Sequence, residues 1–541
     1  MQTLLGSHEE VLRFVSWILV FTLILTGCAV KAKKLDTQKV REISSSLRTR
    51  AYANQEPVGD SITLYQAMAR ALKYNLDVQI ELMEEALRAR EFDVARAEML
   101  PNFVANASYR GRNNDTGGES INLDTRDRVG GNPTTGTPRN QLAADIELSW
   151  DILDFGVSYV RARQASNERL IAEERKRKVA NRILEDVRTA YWRAVSAERL
   201  SSGLKSLARR TQKALTEARK LEKSGQASPL AALTFQRELI DIKSEIQNLE
   251  DNISIARTQL SALMNLPPGT RFKLKFGKRT AAGLQVNQSV DEMIDAAVVN
   301  RTELREIAYQ LRNNKLERDK ALLEILPSLR VFLGGNVDAN TLLFNQNWIG
   351  WGSAATANLM NAFRLPTKRK AIDAQRNLLD RRGLALTVAI ITQVHVSNAR
   401  FKFAKRKFST ALERVQVQTK IRKQVKAAVD AGTASNQTLI REEMNTLVSR
   451  ARRDIAYADM QNSFANIYAS IGVDPFERGI DRRQGVDVIA DQLSTFWRER
   501  GDLGAAIRAK RAERVQGVQT KLGKSKLKRV SAVNERTKPS V

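Results

Sequence analysis

The 541-residue sequence predicts a mainly α-helical protein with a small β part, built from two helix-strand-strand-helix repeats. Three observations carry this reading. One is an internal repeat, the second a set of short stretches with strict apolar–polar alternation. The third is a pair of long proline-free stretches whose apolar residues step by three and four.

The repeat is anchored at several points. Leu64 to Asn75 and Val290 to Asn300 both read as amphipathic helices ending near an asparagine. About 25 residues on come Leu100-Pro101 and Leu326-Pro327, so the offsets are 225 and 226. Gly225-Gln-Ala227-Ser228 then matches Gly432-Thr-Ala434-Ser435 at an offset of 207, as Leu263–Pro267 matches Ser470–Asp474. The difference falls after Pro101, where 111–118 and 129–136 are rich in Gly, Asn and Thr, the composition of a loop. A shared structural unit tolerates an insertion there.

Strands are expected at about 102–110, 143–153, 328–338 and 353–361. Phe103, Ala105, Ala107 and Tyr109 alternate with polar neighbours. Ile146, Leu148, Trp150 and Ile152 alternate with Asp145, Glu147, Ser149 and Asp151. Leu329, Val331, Leu333 and Val337 repeat the pattern, followed by Ala355, Ala357 and Leu359. Trp348 and Trp351 fall in the connection before the fourth strand, where interfacial aromatics would belong.

From Tyr159 to Glu222 there is no proline and Gly203 is the only glycine, so one helix of about 95 Å fits. Its return partner carries Leu239, Ile242, Ile246, Leu249, Ile253, Ala256, Leu260 and Leu263, a heptad seam for coiled-coil packing. In the second repeat a long helix runs to Val429, and Ile440, Met444, Leu447 and Ala451 mark its return.

Composition narrows the chemistry. The net charge is +28 with a pI near 10.2, which favours anionic partners, although most basic residues are spread along solvated helix faces. From Arg498 to Lys538 there are 13 basic and 4 acidic residues, which reads as a solvated basic tail. One cysteine, Cys28, and two histidines, His8 and His395, leave no metal cluster, disulfide or thiol nucleophile. No catalytic residue, metal or cofactor is expected, and the chain does not read as an enzyme.

Near the N-terminus, Phe14 to Leu25 is an apolar run of signal-peptide length, too short to span a bilayer comfortably. It ends in Leu25-Thr26-Gly27-Cys28, which resembles a bacterial lipobox. That resemblance implies lipidation of Cys28 at the mature N-terminus, with Ala29 compatible with outer-membrane sorting. Glu9 and Glu10 outweigh Arg13, a departure from the usual positive start. The expected organisation is a signal peptide over 1–27 and a lipid-anchored segment over 28–60. A first repeat at 61–270 and a connector at 271–288 follow, then a second repeat at 289–475 and a basic extension at 476–541.

The Asn75 and Asn300 segments, the paired Leu-Pro steps, the two Gly-x-Ala-Ser turns and Trp150-Asp-Ile-Leu-Asp-Phe-Gly156 together resemble the TolC-like outer membrane efflux proteins, over residues 61 to 475. That resemblance implies a homotrimer pooling 12 strands into one β-barrel, continued by a long α-helical periplasmic barrel. Physics points the same way. Four strands cannot close a membrane barrel, and open edges are costly in lipid. Asp145, Glu147, Ser149 and Asp151 would line the water-filled lumen. The turns with Gly225, Ala227, Ser228 and Gly432, Ala434, Ser435 would form periplasmic tips that dock an adaptor protein, itself linked to an inner-membrane transporter.

Some family members carry acidic residues six and nine positions after the second turn glycine, forming a gate. Here those positions are Thr438 and Arg441, followed by Glu442 and Glu443. A gate built on Arg441 and a nearby glutamate is expected instead. The implied role is an outer-membrane channel of efflux or type I secretion, passing small molecules or proteins outward. A lipid-anchored coiled-coil scaffold is the alternative, but it leaves the alternating strands unexplained. Nucleic-acid binding fits the charge and conflicts with the leader.

Overall fold

The computed structural model describes residues 34–224, 228–275, 284, 286–473 and 480–499. Cys28, Gly225, Ala227 and the residues after Glu499 lie outside the described residues. The chain divides at Gln55 into two compact units. The first contains the helix α1 (Thr37–Ala51), which has no buried residue.

In chain order the second unit begins with β1 (Ser61–Ile62), α2 (Leu64–Tyr74), α3 (Leu76–Ala97), β2 (Asn102–Gly111), β3 (Gly118–Ile121), β4 (Arg128–Thr134), β5 (Asn140–Asp151), α4 (Ile152–Lys223) and α5 (Pro229–Leu263). It continues with β6 (Lys273–Leu274), α6 (Val290–Asn300), α7 (Thr302–Leu323), β7 (Ser328–Asp338), β8 (Asn347–Thr356), α8 (Met360–Asp430), α9 (Asn436–Ile471) and α10 (Val486–Glu499).

The repeat is visible in its caps. Thr63 with Gln66 starts α2, and Ser289 with Glu292 starts α6, each a reciprocal capping box 226 residues from the other. The α2–α3 break falls at Asn75 (φ −63, ψ 129) and the α6–α7 break at Arg301 (φ −66, ψ 126). Arg301, and not Asn300 as the sequence suggested, therefore stands where Asn75 stands, and the offset is 226 throughout this part. Both side chains brace the end of a return helix. Asn75 Nδ2 donates to the Leu263 carbonyl at 3.1 Å, and Arg301 Nη1 to that of Ala469 at 3.2 Å. Just beyond, Asn265 and Gly472, 207 apart, both adopt positive φ (55 and 76).

The four long strands form one antiparallel sheet in the order β2-β5-β7-β8, so β2 and β8 are its open edges. The fourth strand is Asn347–Thr356 rather than 353–361. Trp348 and Trp351 thus belong to the strand itself, while Leu359 already caps α8. Alternation of Ala355, Ala357 and Leu359 pointed too far along because helix α8 takes over at Met360. The second strand likewise spans 140–151, ending where Asp151 caps α4. The insertion expected to be plain loop folds into its own hairpin, β3 with β4.

By rise per residue, the 72-residue α4 is about 108 Å long. Over its part nearest the turns the helices lie side by side in the order α5–α4–α9–α8; nearer the sheet the order is α3–α4–α7–α8. The two predicted seams meet there in one cluster, with Leu239, Ile246, Ile440 and Met444 packed against Leu204, Leu207 and Leu215 of α4. Gly203 is a point of close approach, since a Cβ there would lie 2.9 Å from Leu447 Cδ2.

Midway along, β1 pairs in parallel with β6 and α10 packs on α2. Met68, Leu72, Tyr191, Leu260, Ile489 and Leu493 are buried together, each worth about 1.5–3 kcal/mol of transfer free energy. Trp497 of α10 covers the buried Arg188 guanidinium, 4.3 Å from ring centroid to Cζ. Burial lowers the Arg188 pKa to about 10, and Glu185 opposes that shift.

Candidate functional site

The sheet is polar on its sheltered face and apolar on its open one. Along β5, Leu142, Ile146 and Leu148 are 55%, 50% and 44% exposed, whereas Ser149 between them and the helix is 7% exposed. Strand pleat puts residues opposite one another in the ladder on the same face. Phe103 pairs with Leu148, Leu148 with Leu333, and Leu333 with Trp351, so one apolar band crosses all four strands. Such an arrangement inverts that of a water-soluble sheet.

The sheltered face carries a connected polar set. Asn106 Nδ2 donates to Asp145 at 2.9 Å, and Gln141 Nε2 to Asp338 at 2.7 Å. Arg330 donates to Glu147, and the Ser328 hydroxyl to Asp151. Asp151 also accepts from the backbone N–H groups of Leu153 (2.9 Å) and Asp154 (3.0 Å), capping the longest helix. The sequence-predicted set Asp145, Glu147, Ser149 and Asp151 therefore lies on one face. Asp338, Arg330 and Asn106, which share it, escaped notice because the partner register is not visible in one strand. The Phe332 ring occupies the space beside Gly352, where a Cβ would sit 2.7 Å from its Cζ.

At the far end of the helices the second turn is built by Gly432 at φ +74. There the N–H groups of Thr433 (2.8 Å) and Ala434 (3.2 Å) fold back on the Ala428 carbonyl. Ser435 caps α9 by accepting from Thr438 N at 3.2 Å. Of the first turn, Ser228 is described, and it precedes α5 without a side-chain cap. Arg441 Nη2 lies 3.7 Å from Glu238 of α5, and Gln437 Nε2 donates to the same carboxylate at 3.4 Å. Glu443 is paired with Arg210 of α4, and Glu442 accepts from Gln418 of α8 at 2.5 Å. Of the predicted gate residues, Arg441, Glu442 and Glu443 thus each tie α9 to a neighbouring helix, whereas Thr438 completes the cap.

No helix among the described residues is long and apolar enough to cross a membrane.

Residues 67–266 match the profile of the outer membrane efflux protein family. No curated protein matches the chain. Among solved structures, CusC, a channel-forming protein, is similar at 16% identity and a TM-score of 0.58, over 78% of this chain and 96% of that one. The CmeC outer membrane channel of Campylobacter jejuni is similar at 14% identity and 0.59, over 81% and 94%. The open-state MtrE outer membrane channel of Neisseria gonorrhoeae is similar at 13% and 0.56, over 78% and 95%. The matched segment resembles the outer membrane efflux proteins, and over most of its length the chain shares the fold of these outer membrane channels.

Proposed function

We propose that the chain is the outer-membrane channel-tunnel component of a tripartite efflux or type I secretion system, passing small molecules or proteins from the periplasm or transporter to the exterior. The observation that carries this is the inverted sheet with two unpaired edges. In lipid each unpaired backbone group costs several kcal/mol, so open edges have to be closed by other strands. Three copies pool twelve strands, above the eight at which membrane barrels begin. The apolar band then meets lipid, and Asp145, Glu147, Ser149 and Asp151 line the lumen. A scaffold without channel activity would leave this band without a partner.

Cys28 anchors the chain to outer-membrane lipid, and the turns at Gly225–Ser228 and Gly432–Ser435 dock the periplasmic adaptor that joins the inner-membrane transporter. The Arg441–Glu238 contact supports a latch at this end. An exposed ion pair contributes only about 0.2–1 kcal/mol, which suits a tie that opens on docking.

The test is planar-bilayer recording with the purified full-length protein. Stepwise conductance from a trimeric sample is expected, with Arg441→Ala opening more often. A strictly monomeric, non-conducting sample refutes the channel. A palmitate label that survives Cys28→Ser refutes the anchor.

A further inference from the structure

The two lateral edges of the helical part differ in charge. On one side α8 carries 17 basic and 4 acidic residues. On the other, α3 and α5 together carry 6 basic and 11 acidic residues. Both edges also expose apolar side chains, such as Val388, Phe403 and Val417 on α8 and Leu233, Ile240 and Ile255 on α5.

The opposite charges also stand at matching heights. Arg210 meets Glu443, thirteen residues before the end of α4 and seven after the start of α9. The end of α4 therefore reaches about 9 Å further from this contact than the start of α9, at 1.5 Å per residue. With that offset, Asp241, Glu245, Glu250 and Asp251 of α5 fall level with roughly residues 424 to 414 of α8. That stretch holds Lys423, Lys420 and Arg414. All seven are exposed, and among the described residues none has an oppositely charged partner within 4 Å in its own chain.

We infer that copies of this chain associate by setting the basic α8 edge of one against the acidic α5 edge of the next. The inference rests on the ring assembly proposed above and specifies what selects its partners in the periplasmic part. The contact is heterologous, one patch meeting a different patch, so it repeats around a ring until the ring closes. Opposite charge at the rim chiefly sets register and excludes wrong pairings, since α8 against α8 would repel. The apolar residues between supply the buried area. Salt weakens the contact, because the Debye length shrinks from about 10 Å at 0.1 M to about 3 Å at 1 M.

The experiment uses the full-length protein in detergent and follows heat-induced dissociation of the trimer by light scattering and semi-native gels, in low and high salt. The variants are Lys420→Glu with Lys423→Glu, and the same pair combined with Asp241→Lys and Glu245→Lys. In low salt the first pair is expected to lower the dissociation midpoint by several degrees, with the loss shrinking in high salt. The four-fold swap should recover most of it. A trimer whose midpoint ignores the reversal, or a swap no better than the reversal alone, overturns this inference and leaves the ring standing. A wild-type protein that is monomeric in both salts overturns both.

Discussion

Gly472 gives the sharpest test of how the repeat is held together. It ends α9 at φ +76, and a Cβ there would lie 2.7 Å from the Asn300 carbonyl carbon and 2.8 Å from the Arg301 nitrogen. Both are backbone atoms, so no side chain can swing away. For Gly472→Ala the left-handed conformation costs about 1–2 kcal/mol, and overpacking adds about 1–3 kcal/mol. The sum, about 2–5 kcal/mol, should push the α6–α7 joint off the end of α9. The Arg301–Ala469 hydrogen bond of 3.2 Å should be lost with it. Gly472→Asn separates the two causes. Asparagine tolerates positive φ, as Asn265 does at the matching position of the first repeat, yet it brings the same Cβ. Thermal unfolding followed by circular dichroism should show both variants destabilised, with asparagine recovering only the backbone part. A wild-type midpoint for Gly472→Asn would refute the close-approach argument; a wild-type midpoint for alanine would refute the whole account.

Four further outcomes are expected. Leu148→Arg, on the apolar band, should cost about 2–4 kcal/mol near the bilayer middle and abolish assembly in the outer membrane. Glu147→Gln, one residue away on the other face, should assemble normally and shift the ion selectivity of the conducting trimer. Glu56 is held below the usual carboxylate range, first by the hydrogen bond from Lys73 Nζ at 2.6 Å and then by that from Val486 N at 3.0 Å. A lowered folded pKa means its stabilisation is complete above the unfolded value of about 4.3 and is lost as pH falls through the folded one. Hydrogen exchange of α10 should therefore accelerate below about pH 4, after correction for intrinsic rates, and Glu56→Gln should remove that step. Trp497→Ala uncovers the buried Arg188 guanidinium and should release α10 from the core, at a cost of about 2–4 kcal/mol read by urea titration, whereas Trp497→Phe retains most of the contact.

Much of this fold was legible because the periodicities are long. The heptad over Leu239, Ile246 and Leu260 runs through several turns, and all three are buried. The doubled motifs fixed which helices correspond, and Asn265 matched to Gly472 proved to be a match of backbone conformation. Short elements were read less well. In β8 the glycines Gly350 and Gly352 interrupt the alternation, one of them making room for Phe332, so the strand was displaced towards its helix. The helix α10 does not stand out in the sequence pattern. Its apolar residues Val486, Ile489, Leu493 and Phe496 have helical spacing, but the segment has no counterpart in the other repeat and precedes a strongly basic stretch. Of the functional surface, the face shared by Asp145, Glu147, Ser149 and Asp151 follows from the period of two. The salt bridge to Arg330 and the partner of Arg441 depend on long-range register, which local pattern does not encode.

The incompleteness of the chain is consistent from one end to the other. The sheet leaves β2 and β8 unpaired, the upper helices leave α3 and α8 at the outside, and the lower ones leave α5 and α8. The same order of first-repeat element, two central elements and second-repeat element holds at all three levels. An isolated chain would thus expose backbone edges at one end and apolar, oppositely charged helix edges at the other. A single rotational operation that brings the first-repeat side of one copy to the second-repeat side of another satisfies all of these at once. A twofold pairing of like sides would join β8 to β8 and set the basic α8 against itself, which Coulomb repulsion opposes. The charge asymmetry of the helices and the open strands of the sheet therefore favour the same kind of neighbour, the one that the proposed ring supplies.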